Sequence, residues 1–137
     1  MGILFEKDCD AKQLSPLTLA FIGDTVFDLF VREMLVCDAN RPVKKLHNSA
    51  SKLVNAKAQA KIAEAIADSF TEQETDVFKR GRNAHTNHIA KNASNRDYHY
   101  ATGLEAVFGF VYLNGDTERL RELFALAIES LETPEVQ

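Results

Sequence analysis

Apolar and polar positions recur along this chain with helical spacing, and no stretch shows the strict alternation of a half-buried strand. The densest segment has apolar residues at 17, 19–22, 26, 27, 29–31 and 34–36. That is too many for one stripe, so a helix here should be covered on several sides. Ser15 suits its N-cap and Pro16 its first helical position, where a missing N–H costs nothing. The helix should end near Cys37, before the turn-like Asp38-Ala39-Asn40-Arg41-Pro42. Val43, Leu46, Ala50, Leu53 and Val54 then mark one amphipathic helix, and Ala56, Ala60, Ile62, Ala63, Ile66, Ala67 and Phe70 mark another. Thr71-Glu72-Gln73-Glu74 has capping-box spacing and opens a short helix through Val77 and Phe78, predicted to stop at Lys79-Arg80-Gly81. Residues Arg82 to Arg96 are polar, basic and rich in Asn, and read as a loop or broken helix. Helix formers resume near Asp97 and run to Asn114-Gly115, and a last amphipathic helix carries Leu120, Leu123, Phe124, Ala127, Ile128 and Leu131. The expectation is an all-α fold of six or seven helices, two of them central, in a single domain spanning 1–137 with its core at about 14–131.

Each of the two central stretches carries an acid that the pattern would bury. Leu17 to Phe30, LTLAFIGDTVFDLF, has Asp24 at its middle, and Tyr98 to Leu113, YHYATGLEAVFGFVYL, has Glu105 as its only acid. A charge taken out of water costs several kcal/mol unless a partner, hydrogen bonds or a metal offsets it. Packing the two helices together would bring the acids to one place and create a site for a divalent cation. Thr102 shares a face with Glu105, and Asp28 with Asp24, so further oxygen ligands, direct or through water, are within reach. Mg²⁺ takes one or two protein carboxylates and keeps several waters, which this set would satisfy, and Mn²⁺ could substitute. The competing reading is that each acid is salt-bridged to a base from elsewhere. Gly23 and Gly103 lie beside the two acids, and glycine inside a helix points to close packing or to room for a ligand.

Charge changes the picture of partners. The net charge is −4, yet 11 of the 16 basic residues fall in two runs that contain no acid, Arg41 to Lys61 and Lys79 to Arg96. A basic face on an acidic protein is therefore expected, and phosphate binding needs a patch rather than a favourable total. Within these runs Lys57, Lys79, Arg80, Arg82, Asn83 and His85 are the candidate polyanion contacts, with an ordinary solvated helix face as the alternative for each run. His85 and His88 form an HxxH pair, but zinc would want a third ligand and a more ordered setting. The phenylalanines are spaced as core, so no base-stacking platform is predicted. No uninterrupted apolar run approaches the roughly 20 residues of a membrane span, the N-terminus lacks a basic n-region, and Cys9 and Cys37 form neither a metal-type spacing nor a disulfide framework. A cytoplasmic protein with no membrane partner is expected.

LAFIGDTVFD resembles the signature of the ribonuclease III catalytic domain, close to ERLEFLGDAVL, and ATGLEAVFGFVYL resembles its second motif, close to ADALEALIGAIYLD. With KRGRNAH, and with no double-stranded-RNA-binding domain after the helical region, the nearest resemblance within that family is to the Mini-III ribonucleases. It covers about residues 14–131. The resemblance implies that Asp24 and Glu105 are the catalytic and metal-binding acids. It also marks two departures, Ala20 where the signature has an acid and Thr102 where the second motif has Asp. It implies a homodimeric, Mg²⁺-dependent endoribonuclease without a small-molecule cofactor. Such an enzyme would cut double-stranded RNA to leave 5′-phosphate ends, and would act in ribosomal RNA maturation on the 23S precursor. Two other classes stay open: a non-catalytic structured-RNA or ribosome-binding module of the same fold, and a helical phosphohydrolase acting on nucleotides. The last usually needs a His-Asp pair, and no such dipeptide occurs.

Overall fold

The structure, a computed structural model, describes residues 2–84 and 95–132. Six α-helices follow one another: α1 (Pro16–Asp38), α2 (Val43–Val54), α3 (Ala56–Ile66), α4 (Glu72–Arg82), α5 (Asn95–Leu113) and α6 (Thr117–Glu132). Single 3₁₀ turns at Ala11–Gln13 and Ala67–Ser69 precede α1 and follow α3. The described residues contain no strand, and the fold is all-α.

Local chemistry explains the boundaries. Ser15 caps α1 by accepting from the Thr18 N–H at 3.3 Å, with Pro16 at the first helical position. Asn55 divides α2 from α3: its side chain accepts from the Ala58 N–H at 2.8 Å while its amide donates back to the Ser51 carbonyl at 3.0 Å. At α4 the capping box is complete, with Thr71 Oγ1 accepting from the Glu74 N–H and Glu74 accepting from the Thr71 N–H. Helix α4 runs to Arg82, slightly beyond the predicted stop, and α5 starts at Asn95 rather than near Asp97. The turn after α5 passes through Gly115 at φ 71°, a conformation in which glycine has no Cβ to clash.

Helix α5 is the axis. Every residue from Ala101 to Val111 except Glu105 is buried, because α1, α3 and α4 all pack against it. The α1–α5 crossing is made at backbone distance. A Cβ on Gly23 would sit 1.6 Å from the Glu105 carbonyl oxygen, and one on Gly109 would sit 2.0 Å from that of Leu19. Across the other side of α5, Gly103 lies under the Phe78 ring of α4. Both glycines flagged by the sequence thus serve close packing. Phe27, Phe108 and Phe124 cluster between α1, α5 and α6, with Phe30 stacked on Phe124 at 3.8 Å between ring centres. Such aromatic pairs add about 0.5–1.5 kcal/mol each beyond the area they bury.

Helix α6 is held to α4 by an ion pair out of water. Glu74, 3% exposed, receives both Nε and Nη2 of Arg119, at 2.9 and 2.7 Å, and the same guanidinium donates to the Ser69 carbonyl at 2.7 Å. The covering of α1 differs from expectation. Its inner face is buried at Leu19, Ala20, Val26, Phe27 and Val31, but Phe21 is 81% exposed, with Leu29 and Val36 also in solvent. Dense apolar composition demands a cover, and along this face the described residues do not supply one.

Candidate active site

The α1–α5 crossing puts Asp24 and Glu105 side by side. Gly23 rests on the Glu105 backbone, so the next residue on α1 is carried to the edge of the contact, and the Asp24 side chain lies within hydrogen-bonding reach of the Glu105 carboxyl. The two acids differ in setting: Asp24 is exposed, while Glu105 is partly buried between helices. Together they form a shallow site open to solvent on the Asp24 side, rather than a pair enclosed in the core as the hydrophobic pattern suggested.

Burial, then the charge of Asp24 and a hydrogen bond with it, push the Glu105 carboxyl up to about 9. Gln59 pulls weakly the other way. A salt bridge would have lowered this value. The surroundings of Glu105 therefore argue against the ion-pair reading of that acid and leave two carboxyl groups competing for one proton or one cation. Asp28, which could have joined them, is engaged with Arg32 at 3.1 Å. Thr102 lies one turn before Glu105 and is 7% exposed, and its hydroxyl donates to the Tyr98 carbonyl at 2.9 Å. A lone pair of that hydroxyl is left to accept from a water. Ala20, one turn before Asp24, belongs to the core and offers no ligand.

The donor set fits Mg²⁺ or Mn²⁺. Two carboxylates and a hydroxyl are hard oxygens, with space on the open side for the waters these ions keep. Among the described residues no group of three His, Cys, Asp or Glu could hold a metal, so a nitrogen- or sulfur-rich zinc centre is not formed there. His85 and His88 lie outside the described residues.

The structure adds a residue that sequence reasoning passed over. Gln59 of α3 is 2% exposed, faces Glu105, and leaves its Nε2 without a hydrogen-bond partner. Its signal was present: it falls on the stripe made by Ile62, Ala63 and Ile66, where an apolar residue belongs.

The candidate polyanion contacts separate by surroundings. Lys57 is exposed on α3, Lys79 is exposed in the last turn of α4, and Asn83 is exposed just beyond that helix. Arg82 is half-buried, its guanidinium 5.9 Å from the Phe78 ring centre and its Nε donating to Asn83 Oδ1 at 3.3 Å. Arg80 lines a cavity of about 540 Å³ with Lys12 and the acids Glu72 and Asp76, which offset its charge locally. Arg96, counted in the same basic run, is tied to Glu64 and lies 4.3 Å over the Tyr100 ring, joining α3 to α5. Three cations in the last turn of α4 also favour the negative end of the helix dipole.

Comparison with known proteins bears on the family and the fold. The Ribonuclease III domain model matches residues 17–116. The chain is 44% identical to Mini-ribonuclease 3 of Thermoanaerobacter sp. (strain X514) over 96% of both chains. It is 42% identical to that of Staphylococcus aureus, over 86% of this chain and 90% of the other. A crystal structure of a Fusobacterium nucleatum protein superposes with a TM-score of 0.80 at 26% identity, covering 88% of this chain and 99% of that one. With a family match over most of its length and relatives of this similarity, the chain belongs to the ribonuclease III family, among the Mini-ribonuclease 3 proteins, and is a ribonuclease.

Proposed function

We propose that the protein is a divalent-cation-dependent endoribonuclease that hydrolyses phosphodiester bonds in double-stranded RNA, leaving 5′-phosphate and 3′-hydroxyl ends. The observation that carries this reading is the pairing of Asp24 with Glu105 at the α1–α5 crossing, where among the described residues no cationic side chain acts on Glu105. Asp24 and Glu105 would hold the cation, with Thr102 steadying one of its waters. When bound, Mg²⁺ would supply a water of lowered pKa and offset charge on the scissile phosphate. Glu105 brings a carboxyl whose position is set by a helix packed on three sides, while Asp24 faces the solvent from which a bulky duplex must approach. Lys57, Lys79, Arg82 and Asn83 would meet phosphates and 2′-hydroxyls, since an A-form duplex is read by shape and backbone rather than by its narrow major groove.

The natural substrate we infer is the ribosomal RNA precursor of the large subunit, processed in the cytoplasm by a homodimer. The exposed apolar face of α1 supports the dimer: Phe21, Leu29 and Val36 lie along one helix with no cover among the described residues. Among the described residues no helix is long and apolar enough to cross a membrane. The decisive experiment incubates the protein with double-stranded RNA, single-stranded RNA and nucleotides, with Mg²⁺ or with EDTA, beside Asp24→Asn and Glu105→Gln. Duplex cleavage that needs the cation and both acids is expected. Cleavage surviving EDTA or either substitution would overturn the mechanism, and binding without cleavage by the wild type would favour a structured-RNA-binding module.

A further inference from the structure

Gln59 lies against Glu105 and has no part in the scheme above. Its residue is 2% exposed, which cuts its amide off from water, and its Nε2 makes no hydrogen bond. A buried donor left unsatisfied costs roughly 1–3 kcal/mol, so leucine or methionine would suit this place on α3 better if packing were all that mattered. The neighbouring inward positions obey that rule, with Ile62, Ala63 and Ile66 all buried and apolar. What the amide faces is the Glu105 carboxyl, close enough to favour its charged form but outside normal hydrogen-bond geometry.

We propose that Gln59 is a positioning residue for the cation site, its side-chain N–H donating to one Glu105 oxygen while the other oxygen turns to the divalent cation. A carboxylate ligand has two oxygens and a rotatable stem. Fixing one oxygen from a neighbouring helix selects the rotamer that presents the other. The orphaned donor is then a group whose acceptor comes into line only in the loaded site. This inference rests on the cation-dependent reading of Asp24 and Glu105.

The test is Mn²⁺ binding to the full chain, followed by electron paramagnetic resonance of the free ion, for wild type and Gln59→Met, with thermal melts of both in EDTA. Methionine keeps the length and the apolar stem and removes both donors. The variant should melt at the wild-type temperature or above it and bind Mn²⁺ about 10–100-fold more weakly, the usual loss when a ligand's own partner is removed. A packing role alone would move the melt and leave the affinity unchanged, and that result overturns the proposal. Should Gln59→Met fail to fold, the wild-type protein decides. On adding Mg²⁺ the Gln59 side-chain amide protons should shift downfield and exchange more slowly with solvent, and unmoved resonances overturn the proposal. A wild type that binds no Mn²⁺ removes the cation site and this inference with it, whereas equal binding by wild type and variant removes this inference alone.

Discussion

Replacing Glu105 by Gln should make the metal-free protein more stable, and by an amount that grows with pH. In the folded chain the Glu105 carboxyl titrates at about 9, raised from an ordinary 4.5 by burial and by Asp24. Below the lower value both folded and unfolded chains hold the proton, and the group costs nothing. As pH rises above it the unfolded chain releases the proton while the folded chain keeps it, so stability falls by up to about 1.4 kcal/mol per pH unit until the folded group also ionises. Across the whole window the penalty reaches on the order of 5 kcal/mol, a large share of the ~5–15 kcal/mol that holds a domain of this size together. Gln is nearly the same shape, stays neutral and escapes the penalty. Urea denaturation in EDTA from pH 4 to 9 should show Glu105→Gln equal to wild type at the acid end and about 3–5 kcal/mol more stable near pH 8. Adding Mn²⁺ should reverse the order, since the ion displaces the proton from wild type and finds one carboxylate fewer in the variant. Wild-type affinity for Mn²⁺ should then rise about tenfold per pH unit up to about pH 9, with one proton released per ion. A gap that stays flat from pH 5 to 8, or a variant no more stable than wild type, would refute the reasoning.

The other expected outcomes follow from particular contacts. Gly23→Ala sets a Cβ 1.6 Å from the Glu105 carbonyl oxygen, between two backbones. It should cost at least about 3 kcal/mol by denaturation, despite the better helix propensity of Ala, and lower cleavage by about 100-fold or more as the two acids are forced apart. Arg119→Met leaves Glu74 buried without its cationic partner and should cost about 3–5 kcal/mol, while the double variant with Glu74→Leu should recover only part of that loss in the same melts, because Glu74 also closes the capping box on the Thr71 N–H. Phe21→Asp, at a site 81% exposed in the single chain, should leave the monomer's fold intact and shift sedimentation from dimer to monomer; a wild type that already sediments as a monomer refutes the dimer. Lys57→Ala and Arg82→Ala should each weaken binding to duplex RNA and flatten its dependence on salt by about one phosphate contact, while Arg80→Ala, beside Glu72 and Asp76, should do less.

What could be read from the sequence was set by short-range chemistry. Ser15, the Thr71–Glu74 box and Gly115 act on groups within four residues of themselves, so their effects are the same in any fold, and the helix boundaries they predict are those observed. The motifs around Asp24 and Glu105 pointed to the candidate site, and Gly23 to the close helix approach that brings the two acids together. Three things were hidden. The apolar density of α1 implied a cover but could not say whether a neighbouring helix or another molecule provides it, and Phe21 and Leu29 are left in solvent. Arg96 looked like part of a basic face, yet it spends its charge on Glu64, a pairing across 32 positions that no local pattern encodes. Gln59 looked like an irregularity in an apolar stripe, because the carboxyl it faces belongs to a helix far along the chain.

The asymmetry between the two acids joins these observations. Glu105 is held where burial disfavours its charge, on a helix fixed by contacts on three sides, and Asp24 is held where water reaches it, one residue past the glycine that sets the helix spacing. Because Gly23 meets the Glu105 backbone itself, the spacing of the two backbones that carry the acids is decided by main chain against main chain. Under the proposed function, a site with Ala20 and Thr102 where the resembled motifs carry acids would have fewer ligands with which to correct a misplaced cation. On the proposed reading, rigid spacing of the two helices would substitute for number: the stability lost in keeping Glu105 out of water would be recovered on binding of an ion between it and Asp24, so folding energy would be stored at the proposed cation site.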